Sequence, residues 1–154
     1  MRILLVEDNP AEARLTREAL NHTGVAHELA VVGDGETATA FLLRRGEFAR
    51  VQRPHLVLLD LNLPCKDGRE VLREVKEDPA LASIPVIVIT NSQAQEDIQQ
   101  VYQLKGNCYL VKPPDLEEFF VMMKRVMEFW WTTARIPAGF EVASGREYSD
   151  GCTH

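Results

Sequence analysis

Cysteine is scarce in this chain, with three in 154 residues, and Cys65, Cys108 and Cys152 show neither an even disulfide framework nor metal-ligand spacing. They read as reduced, structural or incidental thiols. The four histidines, His22, His27, His55 and His154, form no H-x-x-x-H pair on which a zinc site could be built. No apolar run approaches the roughly 20 residues of a membrane span. The opening Met-Arg-Ile-Leu-Leu-Val is broken by Glu7 and Asp8 before it can serve as a signal peptide, so a cytoplasmic location is expected. Basic residues are outnumbered, 17 Lys and Arg against 23 Asp and Glu, and a formal net charge of −6 offers no surface for nucleic acid. Internal repeats and low-complexity tracts are missing too. The length suits one core rather than two ordinary domains, so any output domain is expected on another chain.

What is present is an alternation of short apolar runs with segments of helical period, the pattern of βα units around a parallel sheet. Ile3–Val6, a weaker run at 27–32, Leu56–Leu59, Val86–Ile89 and Cys108–Val111 read as five strands. His27 and Glu28 mark the second as an edge strand. Asn9, Pro10 and Glu12 have capping-box spacing for a first helix reaching about His22, and Asp34 starts a second reaching about Arg45. Asp67 with Glu70, Ser92 with Gln95 and Asp115 with Glu118 repeat that spacing before helices three, four and five. Asp78-Pro79 ends helix three, and Gly106-Asn107 ends helix four. Residues 46–54 form a polar loop holding Arg50 and Arg53, either solvated or a docking surface for an acidic partner. A domain boundary is expected near residue 133, giving a main domain over 1–133 and a polar extension over 134–154 that wraps the surface or stays loose.

Four of the apolar runs stop at a reactive side chain: Glu7-Asp8, Asp60, Thr90 and Lys112. Open α/β sheets bind ligands at the carboxyl ends of their strands, so parallel pairing would gather these groups into one pocket. Asp60 is the candidate nucleophile, able to form a labile acyl phosphate. Glu7, Asp8 and Asp60 together suit Mg2+, which prefers oxygen ligands. Without a cation, three carboxylates about 5 Å apart repel by roughly 3 kcal/mol per pair at an effective dielectric near 20. Lys112 supplies a mobile point charge for the phosphoryl group. A cis bond to Pro113 would aim it inward. Thr90 offers a hydroxyl that can move toward a modified Asp60, with the Tyr109 ring filling the space it leaves.

These residues resemble the receiver domain of bacterial two-component response regulators, over about residues 1–130. The matching text is Leu5-Val6-Glu7-Asp8-Asn9, Leu59-Asp60-Leu61-Asn62-Leu63-Pro64 with Asp67-Gly68, Thr90, and Tyr109-Leu110-Val111-Lys112-Pro113. The resemblance implies a doubly wound, flavodoxin-like α/β fold with a five-stranded parallel sheet in order 2-1-3-4-5. It also implies phosphotransfer from a sensor histidine kinase to Asp60, Mg2+ ligation by the Asn62 backbone carbonyl, and coupled switching of Thr90 and Tyr109. The protein would then be no enzyme beyond assisting its own phosphorylation and dephosphorylation. Asp-Leu-Asn-Leu-Pro, Asn-Cys-Tyr-Leu and Phe129-Trp130 further resemble the single-domain regulators that partner bacterial phytochromes. That likeness implies a red-light-sensing kinase and a homodimer joined through the carboxyl-terminal helix region. Asn91 departs from the family, standing after Thr90 where a smaller residue is usual, which bears on phosphoryl access and decay.

Helix five adds its own signal. Leu116, Phe119, Phe120, Met123, Val126, Met127 and Trp130 fall at helical spacing and should face the core. Val121, Met122, Phe129 and Trp131 lie off that stripe, and their surplus apolar surface is the candidate dimer interface. Three other functions compete. An aspartyl phosphatase needs an acid two residues after the nucleophile, where Asn62 stands. A flavodoxin-like cofactor carrier needs a phosphate-cradling first loop, and Glu7-Asp8-Asn9-Pro10 would repel phosphate. A receiver fold that binds partners without phosphorylation is the third.

Overall fold

In the computed structural model, which describes residues 1–137, five strands alternate with five helices. In chain order these are β1 (Arg2–Val6), α1 (Pro10–Asn21), β2 (Glu28–Val32), α2 (Gly35–Leu42), β3 (Leu56–Leu59), α3 (Gly68–Glu77), β4 (Val86–Thr90), α4 (Gln95–Gln103), β5 (Cys108–Val111) and α5 (Leu116–Glu128). A 3₁₀ turn at Gly46–Phe48 and a π-helical stretch at Phe129–Thr133 complete them. All strand pairs are parallel and the order is β2-β1-β3-β4-β5, as the resemblance implied. The expected tail beyond residue 137, with Cys152 and His154, lies outside the described residues.

Side chains alternate across a sheet, and here the alternation sorts the core into two layers. Ile3 and Leu5, Leu56 and Leu58, Ile87 and Ile89 pack with Leu20 of α1 and Phe119, Met123 and Met127 of α5. Leu4 and Val6, Val57 and Leu59, Val86 and Val88 pack on the opposite face with Phe41, Leu42, Val71, Leu72 and Val101 of α2, α3 and α4. Burial on both faces is why these strands read as unbroken apolar runs. β2 is less covered, as befits an edge.

Helix starts follow the sequence with one exception. Asn9 Oδ1 accepts the Ala11 and Glu12 N–H groups, Asp34 accepts Thr37 N–H, Asp115 accepts Glu118 N–H, and Asp67 and Glu70 close a full capping box. Ser92 does not cap α4. The cap is Ala94, without a side-chain bond; Ser92 lies two residues earlier, where its hydroxyl donates to Asp97 and accepts the Ala94 N–H. Helix α2 stops at Leu42, short of the expected Arg45, where the chain turns with Arg44 at φ 59°. On α5, Phe119, Met123 and Met127 are buried as expected, but Leu116 is 56% exposed. It occupies the first helical position and borders an open cleft beside Ala11 and Pro113.

Two glycines fix how the β3–α3 loop sits. A Cβ on Gly68 would lie 2.4 Å from the Asp60 carbonyl oxygen, and one on Gly35 would lie 2.4 Å from that of Lys66. Backbone therefore touches backbone at both ends of the loop, which no residue with a side chain permits.

Candidate functional site

Continuing the strand alternation one step past each strand predicts where the reactive groups point. Glu7 follows Ile3 and Leu5, Asp60 follows Leu56 and Leu58, and Lys112 follows Cys108 and Leu110, so all three share the face of α1 and α5. Tyr109 has the other parity and packs against the opposite layer. Lys112 is thereby brought in by register alone. The expected cis bond to Pro113 is not there, since no peptide among the described residues is cis.

Glu7, Asp8 and Asp60 come together, each offering a carboxylate oxygen within 4.8 Å of the others. Glu7 and Asp60 are buried, whereas Asp8 is exposed at the mouth. Burial pushes the Glu7 carboxyl up from its usual range, with Lys112 opposing and the Asp60 charge adding to the rise. Burial does the same to Asp60, again against Lys112 and against the Asn62 N–H, which donates to Asp60 Oδ1 at 3.3 Å. Two buried carboxyls held above their ordinary values beside a third acid form a donor set suited to a divalent cation, whose charge would remove that penalty.

Lys112 Nζ lies across the cluster, 3.1 Å from Glu7 Oε1, and makes a second, short bond to Glu12 Oε1. Burial works against its ammonium, but the bond to Glu12 and the charges of Glu7 and Asp60 outweigh it and raise its pKa. Glu12 went unrecognised in the sequence as part of this site because its spacing from Asn9 fits a capping box. That box is not closed. Glu7 Oε2 takes the Asn9 N–H at 3.2 Å, which leaves the Glu12 carboxylate for Lys112.

Thr90 is fully buried at the end of β4, and its Oγ1 accepts the Ser92 N–H at 3.4 Å. The Tyr109 hydroxyl donates to the Ser92 carbonyl at 2.9 Å. Ser92 Oγ donates in turn to Asp97, which also takes Arg69 Nη2 at 2.6 Å. Arg69 Nε reaches Gln100 at 2.7 Å and its Nη1 reaches both oxygens of Asp67. The Ser92 hydroxyl and Arg69 hold the Asp97 carboxyl below its ordinary range. A polar chain thus joins the start of α3 to Thr90 and Tyr109. Sequence spacing gave no sign of it, because Arg69 and Asp97 are 28 residues apart.

Neither cysteine among the described residues takes part in the site. Cys65 is exposed and unpaired, and burial pushes the Cys108 thiol up, away from reactivity. No helix among the described residues is long and apolar enough to cross a membrane.

The acidic loop after β1 is no phosphate-binding cradle, so the rim does not suit a flavodoxin-like cofactor carrier. Residues 3–124 match the response regulator receiver domain, and the chain belongs to that family. Response regulator Rcp1 of Synechocystis sp. is 48% identical over 136 residues, spanning 88% of this chain and 92% of Rcp1. The crystal structure of the phosphorylated cyanobacterial phytochrome response regulator RcpA matches with a TM-score of 0.85 at 50% identity, covering 89% of this chain and 98% of that one. The manganese-bound form of Rcp1 matches at 0.84 and 47% identity, over 89% and 99%. The family and the narrower likeness to phytochrome regulators, both expected from the sequence, are borne out.

Proposed function

We propose that this protein is a phosphorylation switch that accepts a phosphoryl group on Asp60 from a sensor histidine kinase of the phytochrome type. The observation that carries this reading is the convergence of Glu7, Asp8 and Asp60 within 4.8 Å, with Lys112 across from them. Glu7, Asp8, Asp60 and the Asn62 backbone carbonyl are the residues assigned to a magnesium ion; the manganese-bound form of Rcp1 supports a divalent ion here. When bound, the ion offsets repulsion among the carboxylates and charge on the incoming phosphoryl oxygens.

An Asp60 carboxylate oxygen attacks phosphorus as the bond to the partner's imidazole nitrogen breaks. Lys112 then holds a product oxygen, and Thr90 moves toward another. In doing so the Thr90 hydroxyl leaves the Ser92 N–H, and the Tyr109 ring follows into the vacated space. The face of α4, β5 and α5 repacks only by the differential interaction energy of the added charge, a bias of roughly a few kcal/mol. Supply of the phosphoryl group by an ATP-fed kinase supports a cytoplasmic location. No catalytic activity toward other substrates and no nucleic-acid partner belong to this reading.

Residues 1–133 form the receiver unit in this account, ending with the π-helical stretch, and 134–154 the extension. Val121, Phe129 and Trp131 are 49%, 50% and 46% exposed, while Met122 is half-buried against the α1–α5 layer. So much apolar surface on one helix supports a two-fold interface there. Sedimentation as a monomer at tens of micromolar, with and without phosphorylation, would remove it.

The switch itself is tested by incubation with Mg2+ and a small phosphoryl donor, followed by intact mass. One labile adduct is expected, lost in Asp60→Asn and with EDTA. No adduct under any condition would instead favour a receiver fold that binds partners unphosphorylated. Transfer assays with a co-purified kinase, lit and dark, test the phytochrome assignment.

A further inference from the structure

We infer that Glu12 is a positioning residue that holds Lys112 back in the resting protein and so sets how readily Asp60 takes up a phosphoryl group. This rests on the phosphoacceptor reading and adds to it a control that the family match does not carry. An ammonium has three donor hydrogens. Two of those on Lys112 are committed, one to Glu7 and one to Glu12, while Asp60 acts on it through charge alone.

Glu7 belongs to the three-carboxylate cluster and has a cation to serve. Glu12 does not. Its carboxylate sits on the first turn of α1, is 37% exposed, and is released from capping because Glu7 Oε2 takes the Asn9 N–H. It is therefore a fourth negative charge whose bond in the site is to the one lysine the phosphoryl group needs.

A phosphoryl group arrives with a charge near −2 and three strong acceptor oxygens. It must compete with Glu12 for Lys112 and is repelled by the same carboxylate. Glu7 is nearly sealed from solvent, whereas Glu12 can swing outward, so it acts as a brake rather than a block. Its removal should speed uptake without changing which residue is modified.

Wild-type protein, Glu12→Gln and Glu12→Asp are compared with Mg2+ and a small phosphoryl donor, with adduct followed by intact mass. Glu12→Gln keeps the size of the side chain and is expected to accept roughly fivefold faster at low salt, the gain shrinking as salt rises. Glu12→Asp, one methylene shorter, should fall between the two. In the metal-free proteins the nitrogen NMR signal of the Lys112 ammonium should move in Glu12→Gln, which a merely structural role for Glu12 would not produce. Unchanged uptake, or an unmoved Lys112 signal, overturns the inference while the wild-type adduct leaves the phosphoacceptor reading standing. If the wild type itself takes up no phosphoryl group, both fall together.

Discussion

The two halves of the rim use the same residue types to opposite ends. On the β1–β3 side, Glu7, Asp60 and Glu12 surround one ammonium with Asp8 beside them, and burial holds two of the acids above their usual range. On the α3–α4 side, Asp67 and Asp97 share Arg69, and hydrogen bonds hold Asp97 below its usual range. Charge in excess of its partners favours whatever brings more positive charge. Two carboxylates bonded directly to one guanidinium tie the start of α3 to α4. The two sides differ in what acts on their acids: burial dominates at Glu7 and Asp60, hydrogen bonds at Asp97.

The most disruptive way to break this contrast is steric. Gly68→Ala places a methyl group against the Asp60 carbonyl and should cost about 3 kcal/mol of stability, read from urea midpoints, and weaken cation binding with it. An unchanged midpoint would show that the loop yields freely. Next, Asp8→Asn removes an exposed carboxylate from the cluster and should weaken divalent-ion binding about tenfold or more by calorimetric titration, with little loss of stability. Binding unaltered by this change would take Asp8 out of the metal site.

Smaller in effect, and opposite in sign to most polar substitutions, is Asp60→Asn in metal-free protein. Ionised Asp60 opposes folding there, so the neutral isostere should stabilise by roughly 1 kcal/mol. Excess Mg2+ should reverse the order by stabilising the wild type more. If Asp60→Asn proves destabilising without metal, the acidic half is not in excess.

The smallest effect is a pH dependence on the braced side. The Asp97 carboxyl binds its proton more weakly folded than unfolded. Its contribution is therefore present above the unfolded value and lost as pH falls through the lowered folded one. Urea midpoints of wild type and Asp97→Asn should differ at neutral pH and converge well below the ordinary carboxylate range. A constant gap would mean that Asp97 acts through shape alone.

Much of this was legible in the letters because it depends on period and position. Two-sided burial wrote the strands as apolar runs, and parallel pairing placed Asp60, Thr90 and Lys112 at equivalent ends. Groups whose role depends on choosing between two partners could not be read. Glu12 fits a cap and Ser92 fits a cap, yet Glu7 takes the Asn9 N–H while Glu12 bonds Lys112, and α4 starts two residues past Ser92, whose hydroxyl binds Asp97. The inward aim of Lys112 needed no unusual peptide bond, since strand parity already supplied it.

The glycine contacts at Gly35 and Gly68 make the segment from Leu61 to Asp67 a bridge resting on two fixed abutments. Its chemistry is free to vary between them, as exposed Asn62, Pro64 and Cys65 show, but its span is not. One inserted residue would unseat both ends at once, so diversity along this stretch has to come from exchanging side chains at constant length.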